Sequence, residues 1–125
     1  MPVFYFDHSP GEPNNVCQQA YFISPNITYN FYPNDANDWY HFQLTSSGKL
    51  TIRVDNFVPL AGQVAVYKGS NCNNVVFLGS NGNFGDTKVV QLGTQSPGRY
   101  YIYVSNDGVL NNVTPYQLQV QFSDD

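Results

Sequence analysis

Apolar and polar residues alternate along most of this chain with a period of two, the spacing of a strand that buries one face. In DWYHFQL, Tyr40, Phe42 and Leu44 point one way, and Trp39, His41 and Gln43 point the other. KLTIRVDNF repeats the pattern, with Leu50, Ile52 and Val54 inward and Thr51, Arg53 and Asp55 outward. The TSSGK segment between them has the chemistry of a hairpin turn. GQVAVYKGS contributes Val64 and Val66, VVFLGS is a short apolar strand after the turn GSNCNN, and TKVVQLG follows a further turn, NGNFGD. SPGRYYIYVSNDG places Tyr100, Ile102 and Val104 on one face and Tyr101 and Tyr103 on the other. In YQLQVQF, Tyr116, Leu118, Val120 and Phe122 face in while the glutamines between them face out. FISPNITYNFY is less regular and predicts one or two strands. No segment carries a helical period. The pattern predicts seven or eight strands in an all-β, antiparallel, two-sheet sandwich.

Composition sharpens that picture. Tyr and Phe number ten and nine in 125 residues, and only 11% of residues are charged, a bias toward strands and away from helices. The length suits one domain, read as residues 11–125, with 1–10 as a linker remnant or a leading strand. Within that leader the alternating VFYFD is expected to pair with a neighbouring domain of the same chain. A net charge of −4 with five basic residues gives no footprint for nucleic acid. No apolar run is long enough to span a membrane, and the N-terminus lacks the charged and apolar regions of a signal peptide. Met1 reads as a start placed ahead of a module from a longer protein.

Cys17 and Cys72 are the two cysteines. Without CxxC spacing they do not form a zinc site, and in a chain with few charges they predict one disulfide in an extracellular protein. The alternative is two buried thiols.

Two loops are rich in oxygen ligands. NDANDWY carries Asp35 and Asp38 just ahead of a strand, and GEPNN carries Glu12, Asn14 and Asn15. Carboxylates and amide carbonyls presented by turns are what calcium prefers. The same residues also make Asx turns and strand caps.

Candidate chemistry beyond that is sparse. There is no GxSxG elbow, no HExxH and no Cys–His pair in a catalytic context, so the chain reads as non-enzymatic. Tyr101 and Tyr103 are expected on the solvent face of one strand, with Trp39, His41 and Arg53 outward on others. Flat rings there would stack on sugars or on proline-rich chains, or would simply pair across strands. Trp39 has a further alternative as half-buried packing at an end of the sandwich.

EPNN, then DxxDWYxF, a Gly-Lys-Leu hairpin and a late PGRYYIYV strand resemble, in that order, the bacterial pre-peptidase C-terminal domain and the related collagen-binding domain of clostridial collagenases. The resemblance runs over residues 11 to 122. It implies a jelly-roll-like sandwich serving as a non-catalytic accessory module of a secreted or cell-surface protein. It also implies a calcium site in which Glu12, Asn14, Asp35 and Asp38 match the family's ligands. Asn15 and Pro10 stand where relatives carry further carboxylates. Surface tyrosines carry ligand contact in the collagen-binding relatives, so the implied partner is an extracellular polysaccharide or a fibrous, collagen-like protein. The competing role is a structural spacer or self-associating building block.

Overall fold

The computed structural model describes residues 14, 16–32, 37–106 and 114–124. Among these a short 3-10 turn, Cys17–Gln19, leads into nine strands. They are β1 (Tyr21–Phe22), β2 (Thr28–Phe31), β3 (Asn37–Leu44), β4 (Gly48–Asp55), β5 (Gln63–Gly69), β6 (Val75–Asn81), β7 (Lys88–Gln95), β8 (Gly98–Ser105) and β9 (Tyr116–Asp124). One sheet has the order β1-β3-β8-β5-β6 and the other β2-β9-β4-β7. All pairings are antiparallel except β1 with β3. The chain is therefore the all-β two-sheet sandwich that its alternation predicts, with the jelly-roll-like form that the resemblance implies.

The extra strand comes from the irregular segment. FISPNITYNFY does not build one element but sends β1 to the first sheet and β2 to the second. Asn26 makes the turn between them at φ +64°, a left-handed conformation that asparagine tolerates. Its amide brackets Phe122, donating to the carbonyl at 3.0 Å and accepting from the N–H at 2.9 Å.

The inward positions of both sheets form one core. Phe42, Leu50, Ile52, Val54, Val64, Val66, Ile102, Leu118 and Val120 are all fully buried. Phe42 stacks on Tyr100 at 5.2 Å between ring centroids, and Phe31 tilts against Tyr40 at 4.7 Å. Three of the largest core residues are tyrosines, which bring hydroxyls into an apolar interior. Two of these meet: the Tyr40 and Tyr116 hydroxyls lie 2.6 Å apart, linking β3 in one sheet to β9 in the other.

Burial, then Tyr116 and Asp38, push the Tyr40 phenol well above its ordinary pKa of 10.0. A raised folded-state value stabilises the fold fully below the unfolded pKa, and that stability is lost as pH rises through the folded one. Tyr40→Phe is expected to cost about 1 kcal/mol near neutrality, the net worth of a buried hydrogen bond. The deficit should shrink in strong alkali, where the wild type pays to keep its phenol protonated and the variant does not. Urea unfolding at about pH 7 and about pH 11 measures both. A deficit that widens in alkali contradicts the assignment.

Candidate functional site: the outer face of the five-stranded sheet

A two-layer sandwich needs apolar residues on its inner faces only. The outer face of the four-stranded sheet largely obeys this, with Lys49, Thr51 and Arg53 on β4, Gln117, Gln119 and Gln121 on β9, Thr28 and Asn30 on β2, and Gln91 on β7, and with Val89 as an apolar residue on the edge strand. The five-stranded sheet does not. Its register aligns Phe22 with His41, His41 with Tyr101, Tyr101 with Tyr67, and Tyr67 with Phe77. One ring from every strand thus falls in a single row across the sheet. Phe22 and His41 rings are 5.3 Å apart, and Tyr67 meets Phe77 edge-on at 5.6 Å.

A second row lies beside the first. Trp39 pairs with Tyr103, and Tyr103 with Ala65. The small side chain of Ala65 leaves the Trp39 ring within 4.8 Å of Tyr103 and 5.8 Å of Tyr67. The Tyr103 hydroxyl donates to the Asn37 side-chain oxygen, fixing its ring on this face. Phe22 and Phe77, at the two ends of the first row, are 53% and 55% exposed.

Trp39 and Tyr103 are half-buried and lie side by side, as members of one aromatic face rather than at an end of the sandwich. Tyr101 corrects the expectation of a solvent-facing ring: it is only 2% exposed. The cause is the Cys17–Cys72 disulfide, whose Cα atoms are 5.9 Å apart. Cys17 precedes β1 at one edge of the sheet, and Cys72 lies in the turn between β5 and β6 at the other. The bridge is a strap over the sheet, and Tyr101 lies beneath it. Arg99 covers more of the ring, its guanidinium 5.3 Å from the centroid. Arg53 does not join this face. It sits on the opposite sheet and pairs with Asp55 at 2.8 Å. His41 does join it, and burial followed by the nearby Arg99 charge lowers its pKa. Phe22, Tyr67 and Phe77 escaped the sequence reading.

Of the four residues matched to a calcium site, Glu12 and Asp35 lie outside the described residues. Asn14 and Asp38 are both buried, at 1% and 3% exposure. Asn14 lies against β3 as an extra rung: its carbonyl accepts from the Trp39 N–H at 2.8 Å, and its amide donates to the Trp39 carbonyl at 3.0 Å. That leaves the Asn14 Oδ1 buried with no hydrogen-bond donor. An acceptor desolvated in this way costs about 1–3 kcal/mol unless something satisfies it. Among the described residues no group of three His, Cys, Asp or Glu side chains gathers as a metal set. No helix among them is long and apolar enough to cross a membrane.

No protein-family model matches the chain, and no curated protein matches it. Solved structures do. The pre-peptidase C-terminal domain of a collagenase from Bacillus anthracis is 24% identical, with a TM-score of 0.64 over 86% of this chain and 99% of that one. A chitosan-binding module of a chitosanase/glucanase from Paenibacillus sp. IK-5 is 12% identical with a TM-score of 0.45, over 78% of this chain and 74% of that one. PliG of Aeromonas hydrophila, a periplasmic inhibitor of g-type lysozyme, is 17% identical with a TM-score of 0.43, over 82% of this chain and 96% of that one. The likeness to the collagenase domain is one of fold, the same fold that the sequence resemblance implies.

Proposed function

We propose that this chain is a non-catalytic accessory module of a secreted or cell-surface protein, and that it binds an extended extracellular polymer, a polysaccharide or a fibrous protein. The observation that carries the reading is the contrast between the two outer faces. One is polar throughout its centre, and the other carries two adjoining rows of rings. Cross-strand pairing alone accounts for neighbouring rings. It does not account for placing apolar rings, more than half exposed, at both ends of the row on a solvent face. The rings left accessible, Phe22 and Phe77 at the ends of the first row and Trp39 and Tyr103 beside it, suit an extended chain that meets several of them at once.

A calcium ion held by Glu12, Asn14, Asp35 and Asp38 belongs to the same reading. The orphaned Asn14 oxygen supports it, because it is a ready ligand fixed beside β3. The ion would anchor the segment before the strap to the strand that carries Trp39.

Affinity electrophoresis through gels containing neutral glucan, chitin derivatives, polyuronate or gelatin tests polymer binding. The wild type should be retarded by at least one of these. Trp39→Ala should weaken that retardation about fivefold, since one stacked ring contributes about 1 kcal/mol. Phe77→Ala, at an exposed position, should act in the same direction without lowering the melting temperature. Free migration of the wild type in every gel overturns the reading and leaves a structural spacer.

A further inference from the structure

Beneath the disulfide strap is a cavity of about 290 Å³, lined by Gln18, Asn71, Asn73, Arg99, Tyr101 and the two bridged cysteines. Its charge balance is unusual. The chain has a net charge of −4, yet the charged group in the lining is a cation, Arg99. Lys49 is exposed to solvent, and the other three basic side chains have partners: Arg53 pairs with Asp55, Lys88 donates to the Leu60 and Asn83 carbonyls, and Lys68 donates to Ser96. The Arg99 guanidinium rests on the Tyr101 ring, and its Nε is buried with no hydrogen-bond acceptor. No salt bridge joins Arg99 to a carboxylate among the described residues. A guanidinium nitrogen buried without an acceptor is unfavourable, and a planar carboxylate is the group that best satisfies it.

We propose that this cavity binds the carboxylate of an acidic sugar, a uronate unit of a polysaccharide, with Arg99 as the charge partner. The inference rests on the polymer-binding reading above and names the substrate class. The remaining lining favours a sugar over a peptide. Gln18, Asn71 and Asn73 offer amides, which both donate to and accept from hydroxyls. A peptide bound as an added strand needs a free strand edge for its main-chain hydrogen bonds. This cavity instead lies over β8, in the middle of the sheet, where the ladder bonds on both sides are already made to β3 and β5. The cavity adjoins the aromatic row at Tyr101, so one polymer chain can lie on the rings and place an acidic unit under the strap.

The test uses polygalacturonate and alginate as acidic probes and a neutral glucan and gelatin as controls, with binding read by affinity electrophoresis and calorimetry. Wild type should bind the polyuronates at least tenfold more tightly than the neutral glucan. Salt at about 1 M, where screening reaches down to about 3 Å, should remove most of that preference. Arg99→Gln should lose about tenfold toward polyuronate and nothing toward neutral glucan, with an unchanged melting temperature as the control for folding. Arg99→Lys should recover only part of the loss, because it keeps the charge and loses the planar fork. Polyuronate binding that is unaltered by Arg99→Gln overturns the inference. Binding of neutral glucan alone, lost in Trp39→Ala, also overturns it and leaves the aromatic-face reading standing. Polyuronate binding lost in Arg99→Gln but kept in Trp39→Ala upholds the cavity and overturns the aromatic face. Gelatin binding without polyuronate binding counts against the sugar.

Discussion

Reducing the Cys17–Cys72 bridge is expected to lower stability by about 4 kcal/mol, the chain-entropy cost of reopening a loop of this length. The two cysteines are 55 residues apart in sequence, and the loop they close contains β1 to β5. For a domain of this size that loss corresponds to a fall in melting temperature on the order of 15 °C. A Cys17→Ser, Cys72→Ser double variant should behave like the reduced protein, which separates the bridge from side effects of the reductant. A local effect should accompany the global one. The strap is held besides by bonds from Gln19 N–H to the Val16 carbonyl and from Ala20 N–H to the Cys17 carbonyl, at 2.9 and 3.0 Å. Without the bridge those amides should exchange with solvent long before the core strands do. Tyr101, now enclosed, should become accessible to nitration or iodination. A melting temperature unchanged by reduction, with Tyr101 still protected, would show that the 3-10 turn holds the strap without the bridge.

The inner half of this fold is legible in the sequence because burial on one face imposes a period of two. Tyr40, Phe42 and Leu44 on β3 and Tyr116, Leu118 and Val120 on β9 are where alternation puts them. The outer face is harder to read, because a row across a sheet depends on register, which no single strand contains. Trp39 and Tyr103 are found by alternation, but their adjacency comes only from the pairing of β3 with β8. Phe77 lies in the apolar run VVFLGS, which has no alternation, and the register shift of β6 against β5 beyond Val66 obscures its direction further. Tyr101 is read correctly as outward and wrongly as exposed. The pairing of the cysteines is legible, but the path of the bridge over the sheet depends on β1 and the β5–β6 turn lying at opposite edges. Lys88 is missed for a related reason. It opens β7 as a lysine would at a solvated edge, yet it is fully buried, with its ammonium on the Leu60 carbonyl at 2.7 Å and on that of Asn83. It clamps two turns that are distant in sequence, and no local pattern announces that.

Millimolar calcium is expected to stabilise the protein by about 2.7 kcal/mol if it lies a hundredfold above the dissociation constant. The corresponding rise in melting temperature is on the order of 10 °C. The expectation follows from the proposed site of Glu12, Asn14, Asp35 and Asp38. Asn14 and Asp38 are already fixed on neighbouring backbone: Asn14 bonds both main-chain groups of Trp39, the residue after Asp38. The Asn14 side chain cannot rotate without giving up its bond to the Trp39 carbonyl, so that bond holds the buried Oδ1 in one orientation whether or not an ion is there. Preorganisation of that kind favours calcium, which accepts an irregular shell of oxygens, over magnesium, which demands a tight octahedron and should substitute poorly. Asp38→Asn retains the shape of the side chain and deletes its charge. It should abolish most of the calcium-induced rise, and Asn14→Ala, which removes the oxygen outright, should do so independently. The quantity to compare is the increment between chelator and calcium within each variant, because Asp38 is buried and its substitution will alter the baseline as well. Equal increments in all three proteins would place any calcium effect elsewhere. Superimposable wild-type curves in chelator and calcium would overturn the metal site and leave Asp38 as a buried residue near the start of β3, with Asn14 as the strand's extra rung.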